Sequence, residues 1–391
     1  MRSTQAKCAG FTLLEVLVAT GIVLLLAAGV LMVAIPSHGS FRLQPAALNI
    51  QQRVRTAADS LQGAVLTAGS GPVNHVFGLP LGAVVPSLLP YRIGLRRADP
   101  PGTFRSDVLT SLRAEPRMAA AGIAAEFQGA SGTISIVCLP GCPVGHAACG
   151  LQEGSAVLLV DVSGQWDLYG VSSVVVAQVR LEARGVSSGR RYTSSARVLP
   201  VEIDTYYLRS GVPDGPQLAH YDGYQSDLPL VDHVASFKVE HFGEATPPQL
   251  RTSAGGTGGV MTYGPAPPLP GEDDGRDSWG AGENCVVALA AGHQVSRLEA
   301  WSPGESLVLL SPGQLTDGPW CPDVSSPARF DADLLRVRRV RITLRAEAWH
   351  ESLRGGDPRL FLRPGTSARP EVAPDEQVTL DLVPRALGMG R

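Results

Sequence analysis

The sequence predicts an α+β protein: one long N-terminal hydrophobic helix packed on a large antiparallel, β-rich domain. Three observations predict it. Residues 11–35 form an unbroken apolar run with a single charge, Glu15. Residues 45–68 repeat apolar side chains at spacings of three and four, the period of a one-faced helix. From about residue 70 the period falls to two, as in strands.

The apolar run comes first. As a helix its 25 residues reach roughly 37 Å, enough to cross a hydrocarbon core of about 30 Å. A carboxylate inside such a segment is expensive and marks function. Pro36, followed by Ser37-His38-Gly39-Ser40, predicts an interruption near the outer interface. The helical pattern then resumes around Pro45, a residue tolerated in a first turn. Ile50, Val54, Ala57, Leu61, Val65 and Ala68 form its apolar stripe, with Arg53, Arg55, Asp59 and Gln62 on the other side. Residues 36–69 are therefore expected to be an amphipathic continuation of the N-terminal helix, lying against its own globular domain.

Residues 70–391 make up that domain. Strands are expected at 106–112, 133–138, 155–162, 166–169, 173–184, 197–208, 230–242, 336–349 and 377–383. Trp166–Tyr169 follows Ser163-Gly164 and is the expected return arm of a hairpin. Residues 243–282 interrupt the pattern with Gly255-Gly256-Thr257-Gly258-Gly259 and Pro265-Ala266-Pro267-Pro268-Leu269-Pro270, a Gly/Pro-rich insertion between strands.

Composition agrees with a globular, strand- and loop-rich body: 44% hydrophobic, 18% charged, 44 glycines and 31 prolines in 391 residues. A net charge of −3 gives no general argument for nucleic acid or anionic lipid as a partner.

The N-terminus separates three classes. A secretory signal has an apolar core of about 7–15 residues followed by small residues at a cleavage site. Here the run is about twice that, and Ala9 and Gly10 precede it. A plain signal anchor is the second class. For the third, Gly10-Phe11-Thr12-Leu13-Leu14-Glu15-Val16 resembles the class III signal of type IV prepilins and pseudopilins. The resemblance implies that residues 1–10 are a leader whose charge comes from Arg2 and Lys7. It also implies cleavage by a prepilin peptidase between Gly10 and Phe11, N-methylation of Phe11, and an assembly role for Glu15. Cys8 would leave with the leader. The physical logic agrees, since an ammonium and a carboxylate attract strongly in a low-dielectric medium.

Further segments resemble the large minor pilins of the PilW type and, more distantly, GspJ-type pseudopilins. They are Ser106-Asp107-Val108-Leu109-Thr110, Gly154–Asp161 and Leu230-Val231-Asp232-His233-Val234 through Phe242, with two C-terminal strands in matching order. The implied partners are other major and minor pilins or pseudopilins, the prepilin peptidase and an inner-membrane assembly platform. The implied location is a single pass in the inner membrane, with the C-terminal domain in the periplasm and, after assembly, at the tip. The expected protein is non-enzymatic and helps initiate or cap a type IV pilus. The alternatives are a minor pseudopilin of a secretion or competence system, and an adhesive domain displayed on a pilin anchor.

On that topology Cys138, Cys142, Cys149, Cys285 and Cys321 face an oxidising compartment. Cys285 with Cys321 and Cys142 with Cys149 are candidate disulfides, and connectivity stays open. Cys138, Cys142, His146 and Cys149 could in outline hold zinc, without the usual paired knuckles. Glu272, Asp273, Asp274 and Asp277, with Glu283, could offer oxygens to calcium, though a solvated acidic loop is the simpler reading and no cofactor is expected. Gly185-Val186-Ser187-Ser188-Gly189 matches a nucleophile-elbow pattern but lacks the strand–turn–helix context. His233 and His241 are expected as partly buried strand residues. Arg339, Arg341 and Arg345 share a strand face, with Arg336 and Arg338 on the other. No aromatics interleave with them for base stacking, so a solvated face is expected and no nucleic acid.

Overall fold

A single helix, α1, runs from Leu13 to Thr67. The backbone does not break at Pro36, contrary to the interruption expected there. One proline removes one hydrogen bond at a cost of about 3 kcal/mol, and a long cooperative helix holds on both sides of it. Leu13–Met32 is long and apolar enough to cross a membrane, and none of it is buried. The predicted stripe is the buried face: Ile50, Val54, Ala57, Leu61, Val65 and Ala68 are at most 6% exposed. Arg55, Asp59 and Gln62 face solvent.

The computed structural model describes residues 12–71, 81, 85–94, 98–100, 103–114, 119–160, 166–183, 191–211, 213, 215–245, 287–290, 293–296, 306–315, 333–368 and 372–388. The chain packs as two compact units, Met1–Gln52 with Glu347–Asp375, and Arg53–Ala346 with Glu376–Arg391.

The strands follow in order: β1 (Leu88–Leu89), β2 (Val108–Ala114), β3 (Ala121–Ile123), β4 (Phe127–Gln128), β5 (Ser131–Val137) and β6 (Ala156–Val160). Next come β7 (Trp166–Val175), β8 (Gln178–Ala183), β9 (Arg191–Tyr192), β10 (Arg197–Arg209), β11 (Gln217–Tyr221) and β12 (Asp227–Asp232). The last are β13 (Val234–Gly243), β14 (Val287–Ala290), β15 (His293–Ser296), β16 (Val308–Leu309), β17 (Val337–Ala346) and β18 (Glu376–Leu382). Their pairings are antiparallel throughout, as the alternating pattern predicts.

In the second unit β10, β3, β5, β8, β7 and β6 pair in that order, and β6 pairs again with β10, which closes a ring. Alternation along each strand fills it: Ile134, Val157, Leu159, Tyr169, Val179 and Leu181 belong to one buried cluster. The opposite face of β6 and β10 joins β2 in a second cluster that includes Leu112, Leu158 and Ile203. Helix and sheet also meet through polar atoms. Ser60 Oγ lies 2.9 Å from the Tyr206 hydroxyl, and Arg53 donates to the Asp232 carbonyl at 2.7 Å. Burial pushes the Tyr206 hydroxyl up to about 12, so it remains protonated at physiological pH.

A four-stranded sheet, β16-β13-β17-β18, carries Phe237, Val239, Val340, Ile342 and Leu344 on its buried face. Two predicted strands prove to be pairs. The stretch 173–184 contains a hairpin turn at Val176-Ala177, and 230–242 breaks at His233. Both Val176 (φ 56°) and His233 (φ 54°) are left-handed. The turn at Val176-Ala177 holds no Gly, Asn or Asp to mark it, and a β-branched residue rarely adopts that conformation; at the second break the only such signal is Asp232 at the end of β12.

His241 is 1% exposed on β13, its ring edge-on to Phe104 with centroids 5.8 Å apart. Neither ring nitrogen has a hydrogen-bond partner among the described residues. Burial lowers its pKa to about 4 from an ordinary 6.5, because the charged form would lose its hydration. The unfolded chain then binds the proton more readily than the folded one. The stability tied to the neutral ring is complete above about pH 6.5 and is lost as pH falls through about 4. In urea unfolding at pH 7 and pH 5, His241→Phe should shrink the acid-induced loss of stability by about 2 kcal/mol. An unchanged difference would remove His241 as its source.

Candidate functional site

The start of α1 is the site that chemistry singles out. Thr12 stands immediately before the first helical residue, and the Glu15 backbone N–H donates to Thr12 Oγ1 at 3.3 Å. In return Glu15 Oε2 accepts from the Thr12 backbone N–H at 3.1 Å and from its hydroxyl at 3.0 Å. This is a reciprocal capping box, which satisfies two of the orphan donors of a helix start. The carboxylate also lies in the first turn, at the positive end of the helix dipole. Glu15 is thus held by its own helix end through one oxygen, and Oε1 takes no hydrogen bond among the described residues. Deeper in the apolar segment, the Thr20 hydroxyl donates to the Val16 and Leu17 carbonyls at 2.9 and 3.0 Å. The signal for the box was present in the sequence: Thr12-Leu13-Leu14-Glu15 is the S/T-x-x-E pattern. Gly10 and Phe11 lie outside the described residues.

The cysteine-rich loop after β5 holds a disulfide between Cys142 and Cys149, with Cα atoms 4.9 Å apart. That removes two sulfurs from the possible zinc set. Cys138 carries a free thiol directed at the His146 and Ala147 carbonyls, at 3.5 and 3.4 Å. Ala148, Cys149 and Leu151 pack into the buried cluster of the ring, so the bridged loop is part of that core. Cys285, Cys321, the acidic residues Glu272, Asp273, Asp274, Asp277 and Glu283, and the 185–189 glycine motif all lie outside the described residues.

Apart from His241, the following buried or half-buried ionisable groups are held in structural contacts. Tyr192 donates to Asp167 at 2.7 Å. Arg336, expected on a strand face, sits instead in a one-turn helix, Asp333–Arg336, and donates to the carbonyls of Glu244, Gln314 and Ala245. In the other unit Glu347, 1% exposed, accepts from Arg354 and Arg363. The arginine face of β17 is not left open either. Arg339 and Arg341 lie over the Phe242 ring at 4.3 and 5.1 Å, Arg341 also pairs with Asp381, and Arg338 pairs with Glu244. Arg92 and Arg209 flank the Tyr207 ring, whose hydroxyl donates to Asp227. None of these clusters joins a nucleophile to a base.

Non-reducing peptide mapping should return a linked 142–149 peptide and Cys138 as an alkylated thiol; a Cys138 linkage would contradict the arrangement. Opening so short a loop by Cys142→Ser should lower unfolding free energy by about 2–3 kcal/mol.

A family model described as the prokaryotic N-terminal methylation motif matches residues 5–31. No curated protein and no solved structure matches the chain. The matched stretch takes in Gly10, Phe11, the Thr12–Glu15 box and most of the unburied part of α1. This end of the chain therefore carries a type IV pilin-like class III signal, attached to a helix suited to anchoring in a membrane.

Proposed function

We propose that the protein is a minor pilin-like subunit of the PilW type, which helps initiate or cap type IV pilus assembly through its N-terminal helix. The observation that carries this reading is the coincidence of the methylation motif with a capped, membrane-length helix and a carboxylate in its first turn. A prepilin peptidase cuts between Gly10 and Phe11, and the new Phe11 amine is N-methylated. Glu15 meets that amine on a neighbouring pilin or pseudopilin. The capping box supplies the reason the carboxylate is tolerated before assembly, since one oxygen is satisfied internally. The other can accept a neighbour's ammonium in an environment where either charge alone is costly. The body is large for a subunit repeated along a thin fibre, which favours low copy number at the tip and a periplasmic position during assembly.

Mass spectrometry of the mature chain tests the reading: it should begin at an N-methylated Phe11, and an intact Met1 would refute it. Glu15→Gln separates charge from capping, because the amide can still accept from Thr12. Both Glu15→Gln and Glu15→Ala should insert into the membrane normally and co-purify with partner pilins at least about tenfold less well. Equal recovery of Glu15→Gln would show that charge is not the determinant.

A further inference from the structure

The four-stranded sheet ends, among the described residues, on the edge strand β18. β18 pairs with β17 through seven consecutive residues without a register shift, from Leu382 opposite Val340 to Glu376 opposite Ala346. On its other side it pairs with no strand among the described residues. Glu376, Gln377, Thr379 and Asp381 are exposed, and Val378 and Leu380 are only half-buried.

Proteins ordinarily blunt such edges with proline, a bulge, a very short strand or charged side chains, lysine above all. The other edges of the two large sheets follow that rule. β1 and β16 have two residues each, and β12 carries Pro229 beside a register shift. β18 has no proline, bulge or lysine and runs for seven residues; its charges are two carboxylates, of which Asp381 is paired with Arg341 of β17.

Its sequence also matches itself. Antiparallel pairing about a two-fold axis at Thr379 sets Val378 opposite Leu380, Gln377 opposite Asp381 and Glu376 opposite Leu382. Apolar meets apolar, no like charges oppose, and all seven residues are used. An axis at Val378 would oppose Asp375 to Asp381; one at Leu380 would leave Glu376 and Gln377 unpaired. Opposed residues in an antiparallel ladder share a face, so Val378 and Leu380 of both copies would extend the apolar side of each sheet.

We propose that β18 pairs with β18 of a second copy of this chain, joining two four-stranded sheets into one across an isologous interface. The pairing goes beyond the assembly role of the helix and does not depend on leader cleavage or on Glu15.

Sedimentation of the full-length chain in detergent tests it. The wild type should run as a dimer. Thr379→Lys, at an exposed position, sets two ammonium groups face to face and should weaken dimerisation at least about tenfold. Thr379→Glu alone should do the same, and an equimolar mixture of the two variants should recover the dimer. A wild type that stays monomeric, or a dimer whose mass is indifferent to Thr379→Lys, would overturn the proposal. Failure of the mixture to recover the dimer would do so too.

Discussion

The body is organised by the double pairing of one strand. Along one edge β10 bonds first to β3 through Arg197 and Val198, then to β2 from Val201 to Tyr207. Along the other it bonds to β6 from Arg197 to Val201 and to β11 from Thr205 to Arg209. Extended backbone with both edges paired leaves few polar groups to satisfy, so the strand can be buried along most of its length. Its first third closes the ring and its remainder spreads into open sheet. Alternation then divides its side chains: Val198 faces the ring interior, while Leu199, Val201 and Ile203 join the cluster on the outer side. Tyr206, further along, reaches Ser60 of α1.

A second constraint governs the N-terminus. Apolar surroundings penalise any unpaired polar group, and the segment 12–32 meets the penalty locally: Thr12 with Glu15, and Thr20 with the carbonyls of its own preceding turn. A carboxylate satisfied by its own helix needs no partner in order to insert. On the proposed function, the second charge would meet the oxygen that Thr12 does not use.

Much of this was legible in the sequence, and what was hidden has physical causes. The stripe Ile50 to Ala68 was readable because a helix buries one face at a fixed period. The strand content was readable for the same reason at period two. Ring closure was not, since the return of β6 to β10 is a long-range pairing with no local trace. The turns at Val176 and His233 escaped because their backbone is left-handed without glycine or asparagine, a conformation imposed by the ladders on either side. At the helix start, the methylation motif over residues 5–31 was recognisable by spacing, and the capping pair of Thr12 and Glu15 stood in the sequence as an S/T-x-x-E pattern. The buried isolation of His241 depends on packing against Phe104, more than a hundred residues away in sequence, and no local pattern carries it.

The use made of arginine narrows where recognition can reside. Arg92, Arg113, Arg209, Arg336, Arg338, Arg341, Arg354 and Arg363 each hold a carboxylate, a carbonyl or both. Arg339 is stacked on an aromatic ring. Cations engaged in this way fix strand ends and loops. On the function and the strand pairing proposed above, selectivity would come from groups that act at contact range: the carboxylate at the capped helix end, and main-chain donors and acceptors along β18. Both are directional and nearly indifferent to salt when desolvated, and on the proposed reading they would favour selection by shape and register over attraction at a distance.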